Sequence, residues 1–252
     1  MRRILLMSVI IMVSWVSAVA QAYDEESQDT LPENVLLEKQ WYLGATIHSN
    51  GWGVKFRDGW NLTALHQFMW EIEFVTYKSS KEIRSVNPNY SDSKSYIYGK
   101  LNYLGFLKGG VGSQNILNRK PYWGGVQLSA FYFGGLSLGI TKPVYLYIVH
   151  FASDSTTEIT EERYDPSSHY PEIIYGRGSF LSGITKLNFY PAVYAKTGLD
   201  FEFGTHSRSL ESLEAGADFT YSPIGIPIMA NNPKQNFFLT LYISLNIGKR
   251  HN

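Results

Sequence analysis

The 252-residue chain has no cysteine, which excludes a disulfide framework and a lipid-modified cysteine anchor. It has no excess of charge either: 22 Lys+Arg stand against 22 Asp+Glu. No run of basic residues breaks that balance, so a nucleic-acid partner is not expected. Beyond residue 22 the chain lacks any stretch of 18 consecutive apolar residues, which excludes membrane-spanning helices. A helical hydrophobic period is missing as well. Whatever holds this chain together is backbone pairing and side-chain packing between extended segments.

What is present begins with MRRILLMSVIIMVSWVSAVAQA. Arg2 and Arg3 precede a compact apolar stretch from Ile4 to Val16, and small residues follow at the spacing a signal peptidase reads. The stretch is shorter than the ~20 residues of a spanning helix. It reads as a secretory signal peptide, residues 1–22, cleaved after Ala22. Removing it takes away Arg2 and Arg3, leaving 20 basic against 22 acidic residues. Residues 23–38 are acidic and irregular and read as a flexible leader. The folded unit is then 39–252.

From Gln40 onward the dominant signal is period two, the signature of strands. In the last strand Phe237, Leu239, Leu241, Ile243, Leu245 and Ile247 share one face, while Thr240, Tyr242, Ser244 and Asn246 share the other. Similar alternation predicts eight strands, near 40–49, 51–58, 66–78, 95–115, 123–150, 185–204, 208–222 and 236–248. The fifth is too long for one crossing. A break is expected at Gly134-Gly135 or at Lys142-Pro143, with room there for a ninth and tenth strand. Short turns are expected near 59–65, 116–122 and 205–207. Longer polar loops are expected near 79–94, 151–184 and 223–235, and Asn50-Gly51 marks a tight hairpin.

Two architectures can use such strands. In a soluble sandwich or lipocalin-like barrel the apolar face is the core and the charged face is solvated. In a transmembrane barrel the apolar face meets lipid and the polar face fills the lumen. Short connections at one end and long ones at the other favour the membrane form. So do the tryptophans near strand ends, with Trp41, Trp52, Trp60 and Trp123 forming a candidate aromatic girdle. Trp52 and Trp60 lie on one face, roughly 26 Å apart at ~3.3 Å per residue, close to the height of a lipid-facing band. The polar faces carry both signs. Lys55, Arg57, Lys100, Lys108 and Lys196 oppose Glu71, Glu73, Asp200, Glu202, Glu214 and Asp218 as a candidate lumen charge network. An eight-stranded barrel is narrow enough for side chains to fill it, and a buried charge must be paired. The predicted fold is an all-β, antiparallel, up-and-down transmembrane β-barrel of eight strands, with ten as the alternative.

The segments NGWGVKFRDG, YGKLN (98–102), GGLSLGITKPVYL (134–146), ERYDPSSHYPE (162–172) and IPIMANN (226–232) together resemble a family of small outer-membrane β-barrel proteins of Bacteroidetes-type bacteria. The resemblance implies residence in the outer membrane of a Gram-negative bacterium and an OmpA/OmpX-like barrel. It implies no catalytic residues.

For chemistry the scarce resource is histidine. His150 and His169 fall in the long third loop, and Ser167 or Ser168 with His169 and Asp165 could be drawn as a hydrolase. Triad members normally converge from separate segments, however, and Asp165-Pro166 with following serines is also how a loop turn is built. Neither a zinc spacing nor a calcium loop appears, so no metal and no cofactor is expected. The expected function is a non-enzymatic barrel serving envelope integrity, adhesion, or an export or assembly complex as a barrel subunit. Its partners would be outer-membrane lipid and an envelope protein. The alternatives are a barrel enzyme acting on lipid A, phospholipid or peptide through a loop histidine, and a narrow, porin-like channel.

Overall fold

In the computed structural model the described residues are 39–90, 92–119, 125–151, 157–203 and 209–251. The expected signal peptide, the acidic leader and Trp123 lie outside them. Thirteen strands are present among the described residues: β1 (Lys39–His48), β2 (Gly51–Asn61), β3 (His66–Tyr77), β4 (Arg84–Ser85), β5 (Tyr96–Ile97), β6 (Asn102–Asn118), β7 (Gln127–Pro143), β8 (Tyr145–Phe151), β9 (Thr157–Arg163), β10 (Ile174–Arg177), β11 (Asn188–Glu202), β12 (Ser209–Ile226) and β13 (Gln235–His251).

Eight of them, in the order β1-β13-β12-β11-β7-β6-β3-β2, close into a barrel. Every pair is antiparallel, and the seam between first and last strand runs from Lys39 opposite His251 to His48 opposite Tyr242. Closure leaves no barrel strand with an unpaired edge. The barrel strands alternate, most regularly in β1, which reads exposed-buried throughout, with Tyr42, Thr46 and His48 inward and Leu43 and Ile47 outward.

The apolar face is the outer one. Ile47 is 73 % exposed, Leu136 74 %, Leu239 68 % and Ile247 69 %, while Arg57, Glu73 and Glu214 are 0 % exposed. A soluble sandwich would show the reverse. An apolar surface that runs around the whole barrel far exceeds the patches a water-soluble monomer tolerates, so the wall is built to meet lipid. Trp41, Trp52 and Trp60 also point outward. Trp60 sits opposite Lys39 at the rim that carries the termini, and Trp52 opposite Ile47 at the other rim.

Three corrections to the sequence reading concern strand ends. The strand expected at 95–115 begins only at Asn102, because Gly99 takes a left-handed turn (φ +77°) just before it. The long fifth strand breaks at Val144, beside Lys142-Pro143, and not at Gly134-Gly135. There β6 and β7 run unbroken with Gly110 opposite Gly135. The freed segment β8 leaves the barrel and pairs with β9 and β10 in a separate three-stranded sheet. Extra strands therefore exist, but none enters the barrel. At the hairpin after β1 the loop residues are Ser49 and Asn50, and Gly51 already faces His48. Gly51 does not have a positive φ. A side chain there would strike the carbonyl of Thr76 on β3, so the glycine permits a close approach between strands.

Candidate functional site

The lumen is built from the polar faces, and Arg57 on β2 is its hub. Its Nε donates to Glu71 Oε2 at 2.6 Å, its Nη1 to Tyr42 Oη at 2.6 Å, and Nη1 and Nη2 grip the Glu214 carboxylate at 3.0 Å each. The guanidinium also lies over the rings of Phe133 and Phe131, at 4.1 and 4.9 Å. Five donors in a rigid fork suit one residue to tie two carboxylates at once. Lys55 reaches Glu214 at 2.5 Å, Lys196 reaches Glu73 at 2.7 Å and Glu71 at 3.1 Å, and Lys108 reaches Asp218 at 2.6 Å.

Arg57 and Glu71 are opposite one another in the register, but the lysine pairs are not the ones sheet neighbourhood alone suggests. Lys55 sits opposite Glu73 in the register, Lys196 opposite Asp218, and Lys108 opposite Glu73. Each instead bonds across the lumen, to a strand three places away around the barrel. Asp200 faces Glu214 on the adjacent strand, and Gln114 donates to it at 3.3 Å. Glu202 is gripped by Arg250 at 2.6 and 2.9 Å near the rim with the termini. Arg250 lies on the polar parity of the last strand, the signal by which it could have been found.

Both lumen ends are packed. Near the terminal rim Gln40 and Gln67 bond at 2.6 Å. Tyr42, Met69, Phe131, Phe133, Tyr194 and Tyr242 then form a buried aromatic layer around Arg57. At the loop rim Tyr77, Leu104, Phe106, Ile226, Ile228 and Phe238 form an apolar plug. The connection after β12 folds inward over it: the amides of Leu101 and Asn102 donate to Ile228 O and that of Ala230 to Gly99 O. Phe131, Phe133, Phe106 and Phe238 were missed because an apolar residue on a polar face reads as broken alternation.

Lys100 does not belong to this network. It precedes β6, pairs with Glu82 at 2.7 Å and lies 4.4 Å from the centre of the outward-facing Tyr103 ring. Its place is the outside of the barrel, beneath the loops.

The loops carry the second cluster. Val144, Leu146, Ile148, Tyr164 and Ile174 with Tyr96 make a small core of their own. Asn87 stitches the first long loop to it by donating to the carbonyls of Pro171, Glu172 and Ile174. On this sheet His150 and His169 converge on one carboxylate, Glu162, at 2.7 and 3.3 Å. Hydrogen bonds from Thr160 and His150 hold Glu162 below the usual carboxylate range. Asp165 is turned away from that pair. It accepts from the Ser167 amide and hydroxyl at 2.9 and 2.6 Å, which also holds its carboxyl low. His169 Nδ1 accepts the Asp165 amide at 3.1 Å, so both ring nitrogens are engaged. Among the described residues no group of three His, Cys, Asp or Glu side chains is arranged to hold a metal.

No family model matches the chain, and no curated protein matches it. Solved structures do resemble it. The attachment invasion locus protein Ail of Yersinia pestis, in complex with the heparin analogue sucrose octasulfate, is 8 % identical over 85 % of this chain and 99 % of its own, with a TM-score of 0.41. The N-terminal β-barrel domain of Pseudomonas aeruginosa OprF is 9 % identical over 85 % of this chain and 97 % of its own, TM-score 0.34. Neisserial surface protein A is 11 % identical over the same shares, TM-score 0.37. At these scores the likeness is loose, and the barrel stands on its own strand register.

Proposed function

We propose that this chain is an outer-membrane barrel of a Gram-negative bacterium, exported with a signal peptide cleaved after Ala22, that works through its outer wall and loops and neither conducts nor catalyses. Its roles would be envelope integrity, adhesion, or service as a barrel subunit of an export or assembly complex. The observation that carries the reading is the sealed lumen. Charges pair across its middle, an aromatic layer surrounds Arg57, and an apolar plug closes the loop rim. Four buried cations hold Glu71, Glu73, Glu214 and Asp218, so the lumen keeps few charges that would draw in water or ions.

Planar-bilayer recordings of the reconstituted protein test it. Flat traces are expected, and stepwise conductance would restore the channel. Sequencing the N-terminus of protein taken from outer membranes should begin at Tyr23. Mild-detergent purification from intact membranes identifies a stable envelope partner if the barrel is a subunit.

A second reading rests on the meeting of His150 and His169 at Glu162, a hydrogen-bonded arrangement from separate strands and loop. In that reading one histidine serves as base toward lipid A, phospholipid or peptide. Replacing both by alanine is expected to leave lipid A and phospholipid composition unchanged; altered lipid would move the balance to the enzyme.

A further inference from the structure

Where the loops overhang the barrel, a cleft of about 590 Å³ opens on its outer wall, a size suited to part of a ligand. Its floor is lipid-facing wall: Phe74 on β3, Gly105 on β6 and Ile140 on β7. Gly105 is opposite Ile140 and carries no side chain, so the Phe74 ring lies against the bare strand, 3.2 Å from where a Cβ would stand. Its roof is basic. Lys78, Arg84, Lys142 and Arg177 line it with Lys100. The one carboxylate among the lining residues, Glu82, is taken by Lys100. Among the described residues none of the other four forms an ion pair. A second hollow of about 420 Å³ shares Lys142, Arg177 and Tyr103 with the first and adds Lys94, Tyr145 and Tyr147.

We infer that this cleft binds one phosphorylated lipid of the leaflet on the loop side, its acyl chains on Phe74, Gly105 and Ile140 and its phosphate between Lys142 and Arg177. The floor continues the lipid-facing wall, so an acyl chain enters it without leaving hydrocarbon. The cations stand one step above, at headgroup height, where Lys and Arg ends reach for the interface. Lys142 is already aimed by its bond to the Phe180 carbonyl and by the Phe180 ring, 4.3 Å away. Arg177 supplies the planar fork that suits a phosphate. A soluble polyanion would use the cations and leave the apolar floor unsatisfied; a neutral lipid would do the opposite. Only a molecule with both parts matches both surfaces.

The inference rests on the membrane reading, and the test separates the two. Full-length mature protein is inserted into phosphatidylcholine vesicles containing a small fraction of bisphosphorylated lipid A or of its dephosphorylated form. It is then extracted in mild detergent and weighed by native mass spectrometry. One bisphosphorylated lipid A per barrel is expected to remain bound. Lys142→Gln with Arg177→Gln is expected to lower retention about tenfold or more, as loss of two charge-assisted contacts implies. Gly105→Leu, which fills the floor and leaves every cation in place, is expected to lower it too. Equal retention of the dephosphorylated lipid, or retention indifferent to all three substitutions, overturns the site. Binding of a heparin fragment that Gly105→Leu does not weaken also overturns it, in favour of a polyanion. Failure of the wild type to insert into plain phosphatidylcholine overturns the membrane reading first.

Discussion

Two sets of basic residues in this molecule lie on opposite sides of the barrel wall, and they differ in their partners. In the lumen Lys55, Arg57, Lys108 and Lys196 each hold at least one carboxylate within 3.2 Å and are shut from solvent. Outside the barrel, Lys78, Arg84, Lys142 and Arg177 hold none among the described residues, and they face a cleft. A charge without water must bring its own partner, because the desolvation cost of an isolated ion is several kcal/mol or more. A charge at a wet or headgroup-lined surface need not. Pairing marks the first set as internal scaffold, and its absence marks the second as available to something outside the chain.

Breaking the hub should cost most. Arg57→Met leaves Glu71 and Glu214 short of a partner with no water to replace it, and a loss of about 3–5 kcal/mol is expected in urea unfolding from lipid vesicles. A cost within the surface range would mean that water reaches the lumen. Next comes Lys108 with Asp218. Lys108→Met alone should destabilise by about 3 kcal/mol, and adding Asp218→Leu should recover most of it, since removing both charges removes the desolvation cost as well. A double variant as unstable as the single would show that the pair is held by wider contacts.

The outer set should behave oppositely. Lys142→Gln or Arg177→Gln should change unfolding by no more than about 0.5 kcal/mol in phosphatidylcholine, as for substitutions away from buried networks. A larger loss would make these residues scaffold too.

The smallest effect belongs to pH. Glu162 is held below its ordinary value of 4.5 by Thr160 and His150. A carboxyl with a depressed folded pKa lends stability that is present above the unfolded value and lost as pH falls through the folded one. Protection of the β8 and β9 amides, referred to the intrinsic exchange rate at each pH, should therefore fall below about pH 4.5 while that of the barrel amides is kept. Glu162→Gln should remove the difference in protection between pH 6 and pH 4 at those amides. A loop sheet that loosens equally in both proteins would leave Glu162 without that role.

Much of the barrel was legible because pleating is local. A residue's face follows from its neighbours two positions away, so Ile243 outward and Ser244 inward need no knowledge of the partner strand. Parity failed where a strand ended unannounced. Lys100 shares parity with Lys108, yet Gly99 turns the chain before Asn102 and sends Lys100 outside. Pairing across the lumen was illegible for another reason. Lys55 chooses Glu214, 159 residues away, over Glu73 beside it, and that choice depends on the diameter and stagger of the closed barrel. The loop core was hidden too: 157–163 is polar and scarcely alternates, and becomes a strand only because β8 offers an edge. Glu162, between His150 and His169, became visible as a shared partner only with that pairing.

The two-residue turn at Ser49 and Asn50 gives the molecule a front and a back. Between β1 and β2 the chain turns at once, while beyond β3 and β7 it climbs into long connections that carry the small sheet. A neighbour sliding along the bilayer toward the β1–β2 side meets bare wall almost to the rim. One arriving at the β3–β6–β7 side meets an overhang. Sideways association is thus geometrically unequal around the axis, and any array formed by this protein inherits a direction from a turn of two residues.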